Sequence, residues 1–285
     1  MLKIAIVTDT IACLTREHLE QYGIAIVPIR ININGHEYRE FLDISASEAY
    51  QLLETDPERF FTSPVPPAEL TGVFRSLASE AESILCINVS AKLSAQYSFA
   101  QVAAEQTKQE FPGTAIELVD SKLAAAAEGF VVLAAARAAS EGKTLQETIE
   151  AAEAVRDRMR FVVVMDTIRH VYRTGRVPKV AARVGSAINV KPILTLSGGV
   201  VQFAGVVRNK QRGVNHILRV MRNEVGGKPV HVAVVHADCP DEATMLKHTI
   251  ESEFSCTELW LSEFSPVMGY ATGRGLLGVA FYTDV

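Results

Sequence analysis

Short apolar runs alternate with helical patterns through the first half of this chain, and that rhythm constrains the fold more than any other feature. Ile4-Ala5-Ile6-Val7, bounded by Thr8-Asp9-Thr10, reads as a buried strand, because an unbroken apolar run of this length suits a parallel sheet covered on both faces. Thr15 can cap a short helix that stops at Gly23, and residues 24–29 read as a second strand. Residues 84–89 and 116–119 are further strands. The first is followed by a helix that runs to Phe111 and halts at Pro112-Gly113, the second by an Ala-rich helix over residues 123–141. Ser45-x-x-Glu48 and Thr144-x-x-Glu147 have the form of capping boxes, each opening a helix. Strand followed by helix, repeated, predicts an α/β fold with a parallel sheet: a Rossmann-like N-terminal domain over residues 1–160. One hairpin interrupts it, where Ile31 and Ile33 alternate with polar residues before the tight turn Asn34-Gly35.

Past Phe161 the pattern changes. Residues 161–165 form a strand, and residues 166–179 are polar and basic, broken by Gly175 and Pro178, ahead of a short helix to Ile188. Lys191-Pro192-Ile193-Leu194-Thr195-Leu196 and residues 200–203 flank Ser197-Gly198-Gly199, which predicts an antiparallel hairpin. A strand over 206–208, helices over 212–225 and 241–254, and strands over 230–236 and 257–262 follow. A glycine-rich loop over 268–278 then leads into a last strand ending near Tyr282. Hairpins mixed with helices predict a C-terminal α/β domain with a mixed sheet over residues 161–285.

Composition removes several function classes. With 285 residues, 48% of them hydrophobic, the chain can bury a large core, and a net charge of −5 opposes a broad nucleic-acid surface. Cys13, Cys86, Cys239 and Cys256 are widely spaced with no CxxC pair, which points to reduced thiols and a cytoplasmic protein. Asp9 ends the first apolar run too early for a signal peptide, and no run reaches the ~20 apolar residues of a spanning helix. There is no dinucleotide fingerprint, no Walker loop and no nucleophile elbow. His231 and His236 fall on opposite faces of one strand, so no metal site and no cofactor are expected.

Phe60-Phe61-Thr62-Ser63-Pro64-Val65-Pro66-Pro67 reads as a stiff, extended loop holding two hydroxyls, with a helix beginning near Pro67. It is either a plain connection or the polar end of a ligand site with an apolar wall. Thr8-Asp9-Thr10, residues 90–94 and Asp120-Ser121 stand at strand ends, where α/β sheets bind ligands and where the same residues also cap helices. Arg169, Arg173, Arg176, Lys179 and Arg183 form a basic cluster, either a solvated face or a docking surface for an anionic partner. Arg274 lies between Gly273 and Gly275, on a surface turn or within reach of a bound carboxylate.

Taken in order, Thr8-Asp9-Thr10, Thr62-Ser63 with its prolines, Leu93-Ser94-Ala95-Gln96-Tyr97, Asp120-Ser121, Gly175-Arg176-Val177, Lys191-Pro192-Ile193-Leu194 and the glycine-rich loop resemble the DegV family of bacterial fatty-acid-binding proteins. The resemblance implies two α/β domains with a fatty acid of about fourteen to eighteen carbons buried between them. It implies that Thr62 and Ser94 hold the carboxylate, and that a separate ATP-binding fatty-acid kinase phosphorylates it. Arg176, with Arg173 and Lys179, is then the docking patch for that kinase, and the carrier itself is not an enzyme. Transient contact with a membrane surface fits such a carrier.

The chain also departs from the family pattern. Where the family has Gly-Ala-His-Thr-Gly-Pro-Gly, it reads Gly269-Tyr270-Ala271-Thr272-Gly273-Arg274-Gly275. Ala271 stands in place of the histidine, and Arg274 is expected to take over its donor role, with Thr272 and Ser121 as further donors. Phe60, Phe61 and Ile193 are expected to line the acyl chain. Two rival readings remain at this stage: an enzyme acting on a small polar substrate through Asp9, Asp120 and Ser94, and a lipid-sensing regulatory module without a kinase partner.

Overall fold

The structure is a computed structural model, and it describes residues 2–168, 170, 174–176 and 190–284. Arg169, Arg173, Lys179 and Arg183, together with the short helix expected up to Ile188, lie outside the described residues.

The first sheet is parallel, in the order β2 (Ala25–Val27), β1 (Leu2–Asp9), β6 (Ala81–Asn88), β7 (Ala115–Asp120). Side chains alternate across it. Ala5, Val7, Ile84 and Cys86 pack on one face with Leu70 and Phe74 of α3 (Pro67–Ala78) and Ala100, Ala103 and Ala104 of α4 (Gln96–Glu110). Ile4, Ile6, Leu85 and Ile87 face the other way, onto α5 (Ala126–Ser140). The helices start as their sequences dictate. Thr15 caps α1 (Arg16–Tyr22), which stops at Gly23 with φ +60°, and both capping boxes form, opening α2 (Ala46–Thr55) and α6 (Leu145–Arg158).

A second, mixed sheet has the order β10 (Val200–Val207), β9 (Lys191–Ser197), β8 (Arg160–Val164), β13 (Leu277–Thr283), β11 (Val230–His236), β12 (Cys256–Glu263). Only its β11–β12 pair is parallel. Its outer face carries α7 (Lys210–Val225) and α8 (Pro240–Glu253) over Val164, Ile193, Val232 and Val279. Its inner face meets α5, which is apolar nearly all round and lies between the two sheets. Phe130 of α5 stands edge-on to Tyr282 and Trp260, with ring centroids 5.3 and 5.5 Å away.

A third, antiparallel sheet joins β4 (His36–Arg39), β3 (Arg30–Ile33) and β5 (Phe60–Ser63). The β3–β4 turn uses Asn34 and Gly35 at φ +53° and +82°, as the Asn-Gly pair requires.

Three expectations need correction. Phe60–Ser63 is a strand, not a loop, because β3 offers a free edge ahead of the prolines. Residues 200–207 form one strand with a bulge between Phe203 and Gly205, rather than two. Part of the glycine-rich stretch is helical: α9 (Pro266–Thr272) is opened by Pro266 and by Ser265, whose hydroxyl accepts from the Val267 amide.

Candidate functional site

Within the first sheet the chain leaves β1 toward β2 on one side, while β6 lies on the other. The carboxyl ends of β1 and β6 are therefore a topological switch point, where α/β sheets leave a crevice. A cavity of about 480 Å³ opens there. Ile11 and Val89 form its floor after β1 and β6, Leu194, Leu196 and Val201 close it from the second sheet, and Val267, Met268 and Tyr270 of α9 form a further wall. Its size lies within the roughly 300–1,000 Å³ of small-molecule sites.

The hydrogen-bond donors come from three segments. Thr62 and Ser63 stand at the end of β5, and Ser94 stands ahead of α4. The Gln96 carboxamide is fully buried and joins these two segments, its Oε1 accepting from the Val65 amide at 2.9 Å. Ser94 Oγ accepts from the Gln96 amide at 3.2 Å, so the hydroxyl proton remains available to donate. The hydroxyls of Thr62 and Ser63 make no hydrogen bond among the described residues. The positive end of the α4 dipole adds to the preference for an anion here.

The third segment carries the charge. Arg176, expected on a docking surface, lines the cavity itself. Its Nε donates to the Leu93 carbonyl at 3.1 Å and its Nη1 to the Thr174 carbonyl at 2.8 Å. These bonds fix the guanidinium beside Ser94 and leave Nη2 with no hydrogen bond among the described residues. Among the described lining residues Arg176 is the one charged side chain, and no carboxylate, imidazole, thiol or amine joins it. The described lining is thus apolar except for a set of hydroxyls and one cation.

Other expected site residues lie elsewhere. Arg274 does not line the cavity. It is exposed and paired with Asp238, Nη2 to Oδ2 at 2.5 Å, a charge contact whose angle is not that of a hydrogen bond. Gly273 and Gly275, at φ +76° each, turn this residue away from α9. Ser121 is fully buried and bonded to its own turn, its Oγ accepting from the Leu123 amide at 3.1 Å and donating to the Leu123 carbonyl at 3.3 Å. Phe60 does not line the cavity either. It is buried behind Tyr270, with ring centroids 5.6 Å apart. Ile193 points to the outer face of the second sheet, since strand alternation gives the cavity side to Leu194. Phe61 and Thr272 do line the cavity, although the Thr272 hydroxyl donates, at 3.4 Å, to the Met268 carbonyl.

Asp9 and Asp120 serve as ties. Asp9 is fully buried and accepts from the Ile11 and Val89 amides and from Asn88 Nδ2. Burial raises its carboxyl to about 6. Asp120 Oδ1 accepts from the Lys122 and Ala91 amides.

Sequence reasoning missed Glu40, which is buried beside the cavity wall. The Ile29 amide donates to Thr10 Oγ1, and the Val267 amide donates to Ser265 Oγ. Both hydroxyls in turn donate to the Glu40 carboxylate, which ties α9 to the first sheet. Burial raises this carboxyl to about 7. No spacing in the sequence announces the clamp, because its members are far apart along the chain.

With this geometry in view, comparison with known proteins places the fold. The model of the family described as "Uncharacterised protein, DegV family" matches residues 3–284. A DegV domain-containing protein of Streptomyces coelicolor is 33% identical over 97% of each chain. One from Caldanaerobacter subterraneus is 30% identical over 99% of each. A fatty-acid-binding DegV family protein from Thermus thermophilus superposes with a TM-score of 0.90 at 28% identity, over 99% of this chain and 100% of that one. DegV of Bacillus subtilis, a fatty-acid-binding protein, gives 0.89 at 25% identity over the whole of both chains. The chain belongs to the DegV family.

Proposed function

We propose that the protein binds one long-chain fatty acid in the cavity at the β1–β6 switch point and presents its carboxylate to a partner kinase. The observation that carries this reading is the lining: among the described residues it is apolar except for a hydroxyl cluster and one cation, Arg176. A ligand matching it has one anionic head and a hydrocarbon body. The fatty-acid binding of the Thermus and Bacillus relatives supports the same reading. Each buried methylene contributes about 0.8 kcal/mol, so the tail sets affinity. Thr62, Ser63, Ser94 and Arg176 need only replace the water lost by one carboxylate.

Chemistry on that carboxylate is assigned to a partner. The hydroxyls have no base beside them among the described lining residues, so nothing there activates a nucleophile. Arg176 and Phe61 are both exposed, at the rim where an ATP-binding fatty-acid kinase would reach the head group. Arg173 and Lys179 belong to the same proposed docking patch by their place in the sequence.

The test compares hexadecanoic acid with hexadecan-1-ol on lipid-stripped protein. The acid should bind at least about tenfold more tightly, and Thr62→Val with Ser94→Ala should remove most of that margin, at about 1 kcal/mol per hydroxyl. Equal affinity for acid and alcohol would overturn the head-group assignment. With hexadecanoic acid at concentrations that saturate the variant, Arg176→Glu should abolish acyl-phosphate formation with the kinase partner. Full activity of that variant would overturn the docking role.

A further inference from the structure

The two hydroxyl-bearing segments at the polar end of the cavity come from distant parts of the chain, and one residue joins them. Between Ser63 and Ala68, Val65 supplies the single backbone N–H, because Pro64, Pro66 and Pro67 have none. The carbonyls of Pro66 and Pro67 are taken up in the first turns of α3. The Val65 amide is therefore the one donor in this stretch by which it can be held from outside, and Gln96 Oε1 accepts from it at 2.9 Å. The backbone amide of the same glutamine donates to Ser94 Oγ at 3.2 Å. Gln96 thus grips the Thr62 segment with its side chain and the Ser94 hydroxyl with its main chain.

Polar satisfaction does not account for this grip. Gln96 is fully buried, and its Nε2 has no hydrogen-bond partner among the described residues. The Val65 donor fixes which end of the carboxamide faces it, since the oxygen is the end that accepts. An apolar side chain of the same length would spare the Nε2 group but leave the amide of Val65, itself 2% exposed, without a partner. One buried N–H group goes unpaired in either case. What the glutamine adds is position. Ser94 Oγ already accepts, so its proton is left for a ligand, and Thr62 lies three residues before the held amide. Hydrogen bonds weaken steeply when donor and acceptor are misaligned, so the spacing of these two hydroxyls decides whether both reach one carboxylate.

We propose that Gln96 is a positioning residue of the head-group site: through the Val65 amide it sets the spacing between the Thr62 and Ser94 hydroxyls, and with it the preference for a carboxylate over an uncharged head. This role rests on the fatty-acid reading of the cavity. Gln96 does not line the cavity, so it acts through the hydroxyls rather than on the ligand.

The experiment measures affinity for hexadecanoic acid and hexadecan-1-ol on lipid-stripped parent and Gln96→Met protein, with urea unfolding of both. Methionine keeps the length and loses the strong acceptor. The acid-over-alcohol ratio should fall about fivefold, the equivalent of one hydroxyl contact, while alcohol affinity and the urea midpoint stay near the parent's. A merely structural glutamine would move the midpoint and leave the ratio alone. In the Thr62→Val, Ser94→Ala background, Gln96→Met should change the ratio no further. By linkage, the Val65 amide of the parent should exchange its hydrogen more slowly with the acid bound than with the alcohol bound, a reading that needs no variant. A ratio unchanged by Gln96→Met in a parent that prefers the acid would overturn the positioning role and leave the fatty-acid reading standing, whereas a parent without that preference would overturn both. Equal exchange rates at Val65, or a further loss in the background lacking the two hydroxyls, would also overturn the role.

Discussion

Replacing Gly269 by alanine sets two effects of opposite sign against each other. Gly269 sits inside α9, where alanine gains about 1 kcal/mol of helix propensity over glycine. A Cβ at this position, however, would stand 2.3 Å from Cε1 of Tyr50, 2.7 Å from its hydroxyl and 2.8 Å from Cζ. The ring has no room to retreat. Tyr50 is fully buried, and its hydroxyl donates to the Phe264 carbonyl at 2.8 Å. Overpacking of this kind costs about 1–3 kcal/mol, and loss of the hydroxyl bond adds about 1 kcal/mol. The clash wins, and Gly269→Ala should be destabilised by roughly 1–3 kcal/mol. Urea unfolding, read as the shift in midpoint, measures it. Tyr50→Phe should not rescue the variant, because the closest atom is a ring carbon. Tyr50→Leu should, leaving a positive coupling in the double-mutant cycle. Because α9 carries Met268, Tyr270 and Ala271 into the cavity proposed for the fatty acid, affinity for that ligand should fall in step with stability. A Gly269→Ala protein as stable as the parent, or more so, would refute the reasoning.

Three further outcomes are expected. Shortening the fatty acid by two methylenes should weaken binding about fifteenfold, from ~0.8 kcal/mol per CH₂; displacement titrations showing a flat series would contradict burial of the tail. Glu40 rises from 4.5 to about 7 and Asp9 from 3.8 to about 6 on folding, so the folded state holds these protons more tightly than the unfolded chain. Their stabilisation is complete below the unfolded values and is lost as pH climbs to the folded ones, so Glu40→Gln should flatten the stability profile between about pH 4.5 and 7 by roughly 3 kcal/mol. An unchanged slope in urea midpoints across that window would sink the assignment. Gly199→Ala should destabilise, because the turn residue has φ +83° and its Cβ would stand 2.8 Å from Ser90 Oγ, which donates to the Gly199 carbonyl at 2.7 Å. Thermal unfolding checks it, and an unshifted midpoint would contradict the contact.

The regular elements were legible wherever local chemistry decides them. Thr15, Ser45 and Thr144 announce helices by capping, Asn34-Gly35 announces a hairpin, and the runs in β1, β6 and β11 announce buried strands. Misreadings fell where a distant partner decides. Phe60–Ser63 becomes a strand only because β3 is beside it, and α9 forms despite Gly269 because Ser265 and Tyr50 hold it. Ser94 was legible as a hydroxyl at a strand end and Thr62 as a hydroxyl on a stiff extended segment, but neither the strand that carries Thr62 nor the position of the guanidinium was. Arg274 and Arg176 look alike in sequence, each beside glycine. Backbone turns alone send one to Asp238 and the other to the carbonyl of Leu93. Ile193 and Leu194 differ only in strand parity, which a one-residue register decides.

The helix sandwiched between the sheets has a consequence for biosynthesis. Ala126–Ser140 emerges from the ribosome well before β8–β13, yet its buried side chains include Phe130, Val131, Val132 and Leu133. Until the later strands arrive, only the side of the helix that meets the first sheet and α6 is covered. A nascent chain stalled at residue 160 is therefore a client for chaperones rather than a finished half-molecule, and the two halves should melt as one cooperative unit.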